Sequence, residues 1–184
     1  MLQVRLLGEL EVDCDGTTIL SPASQRPWAL FAYLALSPRP LARADLAARF
    51  WPDVLDASAR ASLRSALWTL RRAALGEWLI VDRDRVGFRE DRAVWIDVRE
   101  FERLAAEGRP EQALELCRGE LLEGLEDEWA LAARHRHRER VIDLLEQLAQ
   151  GAQAGEDVRA ALEWTRRQAE CDPLDEEVHR RLMR

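Results

Sequence analysis

The most distinctive chemical feature of the sequence is a twenty-residue run, 57–76, that carries four arginines and no acidic residue. In a helix, at about 100° per residue, one side of this run is apolar. The opposite side collects Arg60, Arg64, Ser65, Trp68, Arg71 and Arg72. Arginine binds guanine through paired hydrogen bonds and also neutralises phosphate. A charged run is often only a solvated helix face, but the absence of acids favours a nucleic-acid surface.

A tryptophan and a second group of arginines leave alternatives open. Trp68 lies in the middle of the basic face, where it either contacts a thymine methyl or a deoxyribose or packs against a neighbouring element. Downstream, a predicted β-hairpin region carries Arg83, Arg85, Arg89 and Arg92. A hairpin can place arginines against the phosphates that flank a minor groove. Their acidic neighbours, Asp82, Asp84, Glu90 and Asp91, weaken this interpretation.

Enzyme chemistry finds little support in the sequence. All 27 basic residues are arginine, which excludes a P-loop lysine and Schiff-base chemistry, although a GC-rich genome is a sufficient cause. His135 and His137 are two residues apart, so on a helix they point about 200° from each other and are expected to be solvated. Neither a Gly-x-Ser-x-Gly elbow nor a His-Glu-x-x-His motif occurs. We therefore expect no catalytic residue, metal or cofactor.

The cysteines and the apolar runs predict the compartment. Cys14, Cys117 and Cys171 lie far apart and suit neither a disulfide framework nor a metal site, so we expect three reduced structural thiols. Apolar runs are too short to span a membrane, and the amino terminus lacks the pattern of a signal peptide. We expect a cytoplasmic protein that does not bind membranes.

The elements of the first half must position the basic residues. Apolar and polar residues alternate in short strands at residues 2–6, 9–12 and 17–20. Helices are predicted over residues 28–36 with Ser24 as N-cap, 42–50, and 56–75 with Gly76 as the stop. Strand-sized apolar pieces follow at residues 78–81, 86–88 and 93–96. Three helices followed by a β-hairpin is the order of a winged helix, whose third helix enters the major groove.

Beyond Asp97 only helices are predicted. The residues Asp97-Val98-Arg99-Glu100 form a capping-box pattern, in which Asp97 caps the helix and Glu100 reaches back. Further helices are predicted at 111–118, 126–150 and 157–171, with breaks at 108–110, 124 and 151–155. The stretches 108–115 and 155–163 look like one unit used twice, and 161–173 ends as a tetratricopeptide (TPR) unit ends. The fold class is thus mainly α with small β elements: a winged helix followed by an all-α, TPR-like domain of helical pairs.

Short motifs along the chain match this order. The first half contains Arg5-Leu6-Leu7-Gly8, Leu34-Ala35-Leu36, Leu46-Ala47 with Phe50-Trp51-Pro52-Asp53, Ala59-Arg60-Ala61-Ser62-Leu63-Arg64 with Leu70-Arg71-Arg72, and Ile96-Asp97-Val98 with Phe101. These residues resemble an OmpR-type winged helix. The second half contains Gly119-Glu120-Leu121-Leu122-Glu123-Gly124-Leu125 with Trp129, and Asp172-Pro173-Leu174-Asp175-Glu176-Glu177 with His179-Arg180-Arg181-Leu182-Met183. These residues resemble the bacterial transcriptional activator domain (BTAD). The pairing looks like the antibiotic-regulator (SARP-like) family of actinobacterial activators.

The resemblance implies a transcriptional activator with a DNA-binding domain at residues 1–97 and an activator domain at 98–184. Its helix 57–75 would read double-stranded promoter DNA through Arg60, Arg64, Ser65, Trp68, Arg71 and Arg72. Copies would bind direct repeats, and the helical domain would aid dimerisation and contact RNA polymerase. The family's activator domain continues with at least one more helical pair after residues 182–183. The chain is therefore expected to be a fragment of a larger regulator, or its last helix lacks a packing partner.

The distribution of charge supports one alternative function. Residues 1–97 hold 13 arginines and 13 acids, whereas residues 98–184 hold 14 arginines and 21 acids and so carry the whole net charge of −7. Such an acidic helical domain also suits a non-enzymatic adaptor that captures a protein partner, with the winged helix used for dimerisation. Duplex binding by the basic helix distinguishes the two functions.

Overall fold

The computed structural model describes residues 1–21, 24–89 and 91–171, and the chain divides into two compact units. The first unit comprises Met1–Arg99 with Leu122–Leu125, and the second comprises Glu100–Leu121 and the chain from Glu126 onward. The structure is mainly α-helical with small strands, as predicted. The motif at residues 172–183 lies outside the described residues. Among the helices that are described, none is long and apolar enough to cross a membrane.

A four-stranded sheet forms the base of the first unit. Its strands, in spatial order, are β4 (Thr17–Thr18), β3 (Glu11–Cys14), β1 (Leu2–Arg5) and β8 (Val94–Ile96). Strand β1 pairs antiparallel with β3 and parallel with β8, so that Val4 lies opposite both Val12 and Ile96. A parallel pair needs a long crossover connection. Here that connection contains all three helices of the unit.

The helices and hairpin follow in the predicted order. The helices are α1 (Gln25–Leu36), α2 (Arg43–Phe50) and α3 (Asp56–Arg72). Strands β5 (Leu41–Ala42), β6 (Leu79–Val81) and β7 (Arg85–Phe88) form a second sheet in the order β5-β7-β6. The core between helices and sheet contains fully buried Phe31 and Phe50, and the Phe31 ring meets the edge of Phe88 at 5.3 Å. Burial of such rings is the main source of stability for this unit.

The end of α3 differs from the predicted stop at Gly76. The left-handed residue is Ala74, with φ of 61°, and the Leu75 N–H donates to the Leu70 carbonyl at 3.1 Å. This bond is typical of a Schellman motif, so the helix ends at Arg72. Glycine at position 76 instead avoids a steric clash, because a Cβ there would lie 2.6 Å from the Cγ of Arg71.

The second unit is built from helical pairs, as predicted. It contains most of α4 (Asp97–Ala106), followed by α5 (Pro110–Glu115), α6 (Glu128–Ala154) and α7 (Val158–Cys171). Helix α6 packs along α7 and also contacts α5. The predicted break at Gly108 is confirmed by its φ of +72°. The predicted break at 151–155 is wrong in part, because α6 runs through Gly151 to Ala154; a helical glycine costs only about 1 kcal/mol.

A strand that the sequence pattern did not predict completes the first unit. Strand β9 (Leu121–Glu123) pairs with β2 (Gly8–Glu9), and the Leu122 N–H donates to the Leu6 carbonyl at 2.8 Å. Leu122 has a φ of +56° and Gly124 one of +81°, so no helix can pass through them. Leu122 is fully buried. Its burial places an apolar side chain in the core of the first unit.

The carboxylate of Asp97 connects the ends of β1 and β8 to the start of α4. Asp97 is only 1% exposed. Its oxygens accept hydrogen bonds from the N–H groups of Leu6 at 2.9 and 2.8 Å, Leu7 at 2.9 Å and Val98 at 2.8 Å. The predicted reach-back of Glu100 is not formed, because both its oxygens bind Arg103, which lowers the pKa of Glu100.

Removing this carboxylate should destabilise the first unit strongly. Asp97→Ala leaves the buried N–H groups of Leu6 and Leu7 without an acceptor, and each such group costs about 1–3 kcal/mol. We expect a loss of about 2–5 kcal/mol in the free energy of unfolding, measured by urea denaturation and circular dichroism. Asp97→Asn should recover only part of this loss, since its NH₂ group cannot accept. An Asp97→Ala loss below 1 kcal/mol would contradict this role.

Two glycines offer a matched pair with opposite expected effects. Nothing lies within 4 Å of a Cβ placed at either Gly151 or Gly108, but Gly151 is helical and Gly108 has a φ of +72°. Gly151→Ala should therefore raise the free energy of unfolding by about 0.5–1 kcal/mol, and Gly108→Ala should lower it by about 1 kcal/mol. Thermal melts of both variants check the signs. Equal effects would show that α6 is not continuous through Gly151.

Candidate nucleic-acid interface

Helix α3 separates its apolar and basic residues onto opposite faces. The buried face packs against α1 and α2 through Ala59, Leu63, Ala66, Leu67 and Leu70. All six residues singled out on the other face are exposed: Arg60, Arg64, Ser65, Trp68, Arg71 and Arg72. The 3.6-residue period predicted this division, since residues three and four apart share one side of a helix.

The charges on this face are only weakly compensated. Arg60 forms one pair with Asp56 at 3.5 Å, and both side chains are largely exposed. Exposed pairs of this kind contribute little and are readily exchanged for another anion. Among the described residues, Arg64 and Arg71 have no carboxylate oxygen within the 4.0 Å of an ion pair. This face is therefore free to bind an anionic partner.

Trp68 is 58% exposed. The guanidinium carbon of Arg72 lies 4.9 Å from its ring centroid, a cation–π distance. Packing within the first unit thus covers less than half of the side chain. More than half of the Trp68 side chain therefore remains accessible on the basic side of the helix.

The hairpin turn and the start of α2 each bring one further arginine to the first half of this face. A cavity of about 770 Å³ lies between α3, the start of α2 and the β6–β7 turn; its basic lining residues are Arg43, Arg60, Arg64 and Arg83. The Arg43 backbone N–H donates to the Asp84 carbonyl at 2.9 Å, and its side chain donates to the Asp82 carbonyl at 3.3 Å. These bonds fix the turn against α2. Asp82 and Asp84 also line the cavity, so it is not uniformly positive.

Arg43 is the member of this group that the sequence did not indicate. Its position depends on β5, a two-residue strand that pairs with β7 in the register Leu41↔Val86 and Ala42↔Arg85. A Cβ at Gly87 would lie 2.7 Å from the Cα of Pro40, so this close approach requires glycine. The sequence contains both partners of this contact, the segment from Pro40 to Arg43 and Gly87. Local sequence patterns do not show that they meet, because the pairing is long-range.

The four hairpin-region arginines do not form one group. Arg83 lies in the β6–β7 turn and Arg85 begins β7, close to the cavity described above. Arg89 and Arg92 follow the other end of β7 and line a separate cavity of about 270 Å³. The Asp91 carboxylate binds Arg89 at 2.8 and 2.6 Å and raises the pKa of Arg89.

Arg92 is also engaged locally, 3.7 Å from a Glu77 oxygen and 5.8 Å from the Trp78 ring centroid. Ser65 faces a third, smaller cavity beside Trp51 and Thr69. The ten residues predicted from the sequence therefore lie on several surfaces of the first unit.

The two histidines differ from each other. His135 is 70% exposed and lies 3.5 Å from Glu139, as expected for a solvated residue. The same expectation is wrong for His137, because its ring meets the Phe101 ring at 4.7 Å and burial lowers the pKa of His137 to about 4. On α6, the His137 side chain therefore faces the core of the second unit. Within the described residues, no group of three potential ligands could hold a metal ion.

Comparison with known proteins identifies the class of the second half. Residues 96–184 match the family described as the bacterial transcriptional activator domain. The resemblance predicted from the sequence motifs is thereby confirmed. No curated protein sequence matches the chain.

The fold of the chain is similar to that of a solved structure. Mycobacterium tuberculosis EmbR, in complex with a low affinity phosphopeptide, matches with a TM-score of 0.74 and 23% sequence identity over 98% of this chain. The present chain spans 53% of the EmbR chain, about half its length. At 23% identity this likeness shows a shared fold.

The contrast between Trp68 and its neighbour Leu67 tests the face assignment. Leu67 is 3% exposed, so Leu67→Ala should lower the free energy of unfolding by about 2–5 kcal/mol. Trp68→Ala should cost clearly less than this, because more than half of the side chain is already in water and its cation–π contact is exposed. Calorimetric melting of both variants measures the difference. A large loss for Trp68→Ala would mean that the indole is a structural residue.

Proposed function

We propose that this chain is a sequence-specific, double-stranded DNA-binding transcriptional activator whose α3 enters the major groove. The observation that carries the proposal is the exposed basic face of α3, on which Asp56 is the one acidic residue of the helix, flanked by Arg43 and Arg83. The proposed DNA-binding domain covers residues 1–97 and the activator domain residues 98–184. We further propose that the activator domain contacts RNA polymerase, and that copies associate on direct repeats.

The arginines divide into two proposed roles. Arg64 and Trp68 lie on successive turns in the middle of the exposed face, where a docked helix approaches the base edges; arginine reads guanine there, and an aromatic ring can contact a thymine methyl. Arg43, Arg60 and Arg83 line the cavity between α3 and the β6–β7 turn. This position is suited to contacts with the phosphates that flank the bases. Arg71, Arg72 and Ser65 complete the proposed surface.

Arg85, Arg89 and Arg92 have a smaller proposed part. Arg89 and Arg92 already bind Asp91 and Glu77, and DNA would have to displace those carboxylates. Opening such exposed pairs costs little, but each released acid then repels the phosphates. We therefore place these residues at the margin of the surface.

Duplex binding at several salt concentrations tests the proposal. Fluorescence anisotropy of the full chain on mixed-sequence duplex DNA should show affinity that falls steeply with salt, with a slope of about −0.9 per phosphate neutralised. Arg60→Ala/Arg64→Ala should bind about tenfold or more weakly and reduce the slope by about 1–2. The two substitutions remove exposed side chains, so circular dichroism should show an unchanged fold.

The matched control removes the same charge from the second unit. Arg136 and Arg159 are both exposed, and Arg136→Ala/Arg159→Ala should leave the affinity and slope close to those of the parent chain. Equal losses in both double variants would indicate a response to total charge rather than binding by α3. If the parent chain does not bind duplex even at low salt, the adaptor function becomes the better account.

A further inference from the structure

A second cavity of the first unit is lined by four arginines. It has a volume of about 270 Å³ and lies between the segment after α1, the end of β7 and the start of α4. The four are Arg39, Arg89, Arg92 and Arg99, and among the residues that the structure describes no acidic side chain lines this cavity. It shares no lining residue with the cavity beside α3, so the two are separate features of the unit.

Arg99 lines the cavity without a carboxylate partner among the described residues. Its half-buried side chain donates from Nε to the Ala35 carbonyl at 3.1 Å and from Nη2 to the Ser37 carbonyl, at the end of α1. The Phe88 ring centroid lies 5.8 Å from the guanidinium carbon. Burial lowers the pKa of Arg99, but an arginine stays charged at neutral pH. The neutral carbonyls therefore orient the guanidinium group and do not cancel its charge.

Arg39 supplies the second unpaired charge. Its side chain is exposed and, within the described part of the chain, forms neither an ion pair nor a hydrogen bond. Pro38 and Pro40 flank it, and a residue before proline is restricted to extended conformations. A Cβ at Gly87 would lie 2.7 Å from the Cα of Pro40, so the same segment lies close against β7. A backbone restricted in this way lowers the entropy cost of binding a ligand.

The other two arginines of the cavity are compensated to different degrees. Asp91 accepts two hydrogen bonds from Arg89, at 2.8 and 2.6 Å. A Glu77 oxygen lies 3.7 Å from Arg92, which is a weaker contact between exposed side chains. Neither acid lines the cavity. The described residues therefore leave about two positive charges uncompensated, those of the two arginines that have no carboxylate partner.

These charges indicate the class of ligand. A phosphomonoester carries a charge of about −1.5 to −2 at pH 7 and three acceptor oxygens, so it matches two unpaired guanidinium groups better than a single carboxylate does. A volume of about 270 Å³ lies near the lower end of the range for small-molecule sites, so the organic part of the ligand must be small. The phosphodiester of a nucleic acid carries one charge and two ester links, and it matches this cavity less well.

We propose that this cavity is a binding site for small phosphomonoesters, with Arg39 and Arg99 as the main donors to the phosphate oxygens. Arg92 adds a further donor when its contact with Glu77 opens, whereas Arg89 stays bound to its own carboxylate partner. All of these residues belong to the first unit, and the site does not depend on the DNA-binding function proposed above.

Titration of the full chain with two small esters tests the site. Methyl phosphate is a monoester and close to a dianion near pH 7, whereas dimethyl phosphate is a diester with a single charge. The backbone amide shifts are followed by heteronuclear NMR at constant ionic strength. We expect methyl phosphate to bind about tenfold or more tightly than dimethyl phosphate, with the largest shifts at Arg39, Arg89 and Arg99. Equal affinities for the two esters, or shifts spread over both units, would overturn the proposal.

A matched pair of arginine variants tests the part of Arg39. Arg39→Ala should weaken methyl phosphate binding about tenfold, because it removes one of the two unpaired cations. Arg64→Ala removes another exposed arginine of the first unit that has no ion pair among the described residues, and it should leave this affinity unchanged. Methyl phosphate affinity that survives Arg39→Ala would contradict the site. Should Arg39→Ala disturb the fold, the preference of the parent chain between the two esters still decides the matter.

Duplex DNA separates this site from the proposed function. In the anisotropy measurement, Arg39→Ala should bind duplex as the parent chain does, and methyl phosphate at constant ionic strength should not displace the duplex. If Arg39→Ala weakens duplex as much as it weakens methyl phosphate, the cavity belongs to the nucleic-acid surface and the present proposal fails. If the parent chain binds no duplex but still prefers methyl phosphate, the DNA-binding function fails and this site is supported.

Discussion

The first unit depends on the buried carboxylate of Asp97. Strand β1 begins the chain and β8 lies some ninety residues later, yet the two pair in parallel without a hairpin to join them. The backbone ladder of this pair offsets only part of the entropy of closing that loop. Asp97 adds three charge-assisted hydrogen bonds at the point where the strands end, and such bonds are stronger than those between neutral groups. Because α4 starts at the same residue, one side chain fixes the sheet and the exit of the chain together.

The basic surface is a consequence of this closed framework. Helix α3 uses one face for the core, and the hairpin is attached to α2 through β5 and through two bonds from Arg43. Three segments that are distant in sequence thereby present arginines to one cavity. Within the part of the chain that the structure describes, the weak Arg60 to Asp56 pair is the one ion pair among these arginines. Apart from the bonds of Arg43, these side chains make few internal contacts of their own, which leaves them available to an anionic partner.

Local sequence patterns predicted the elements of the fold well, and long-range pairing accounts for most of what they missed. The 3.6-residue period of α3 was sufficient to separate Leu63 and Leu67 from Arg60 and Arg64. It could not place Arg43 beside Arg83, or separate Arg89 from Arg83, since those positions follow from strand register. The burial of His137 was missed for a similar reason. The angle between His135 and His137 was correctly expected, but it does not say which of the two faces the core.

The strand pairing of β9 with β2 makes the first unit discontinuous in sequence. Leu122–Leu125 belong to it, although more than twenty residues of the second unit come before them. During synthesis the ribosome adds about 5–20 residues per second. The fully buried Leu122 and its bond to Leu6 are therefore absent until α4 and α5 have left the ribosome. The first unit therefore cannot be completed until the first segment of the second unit has been synthesised.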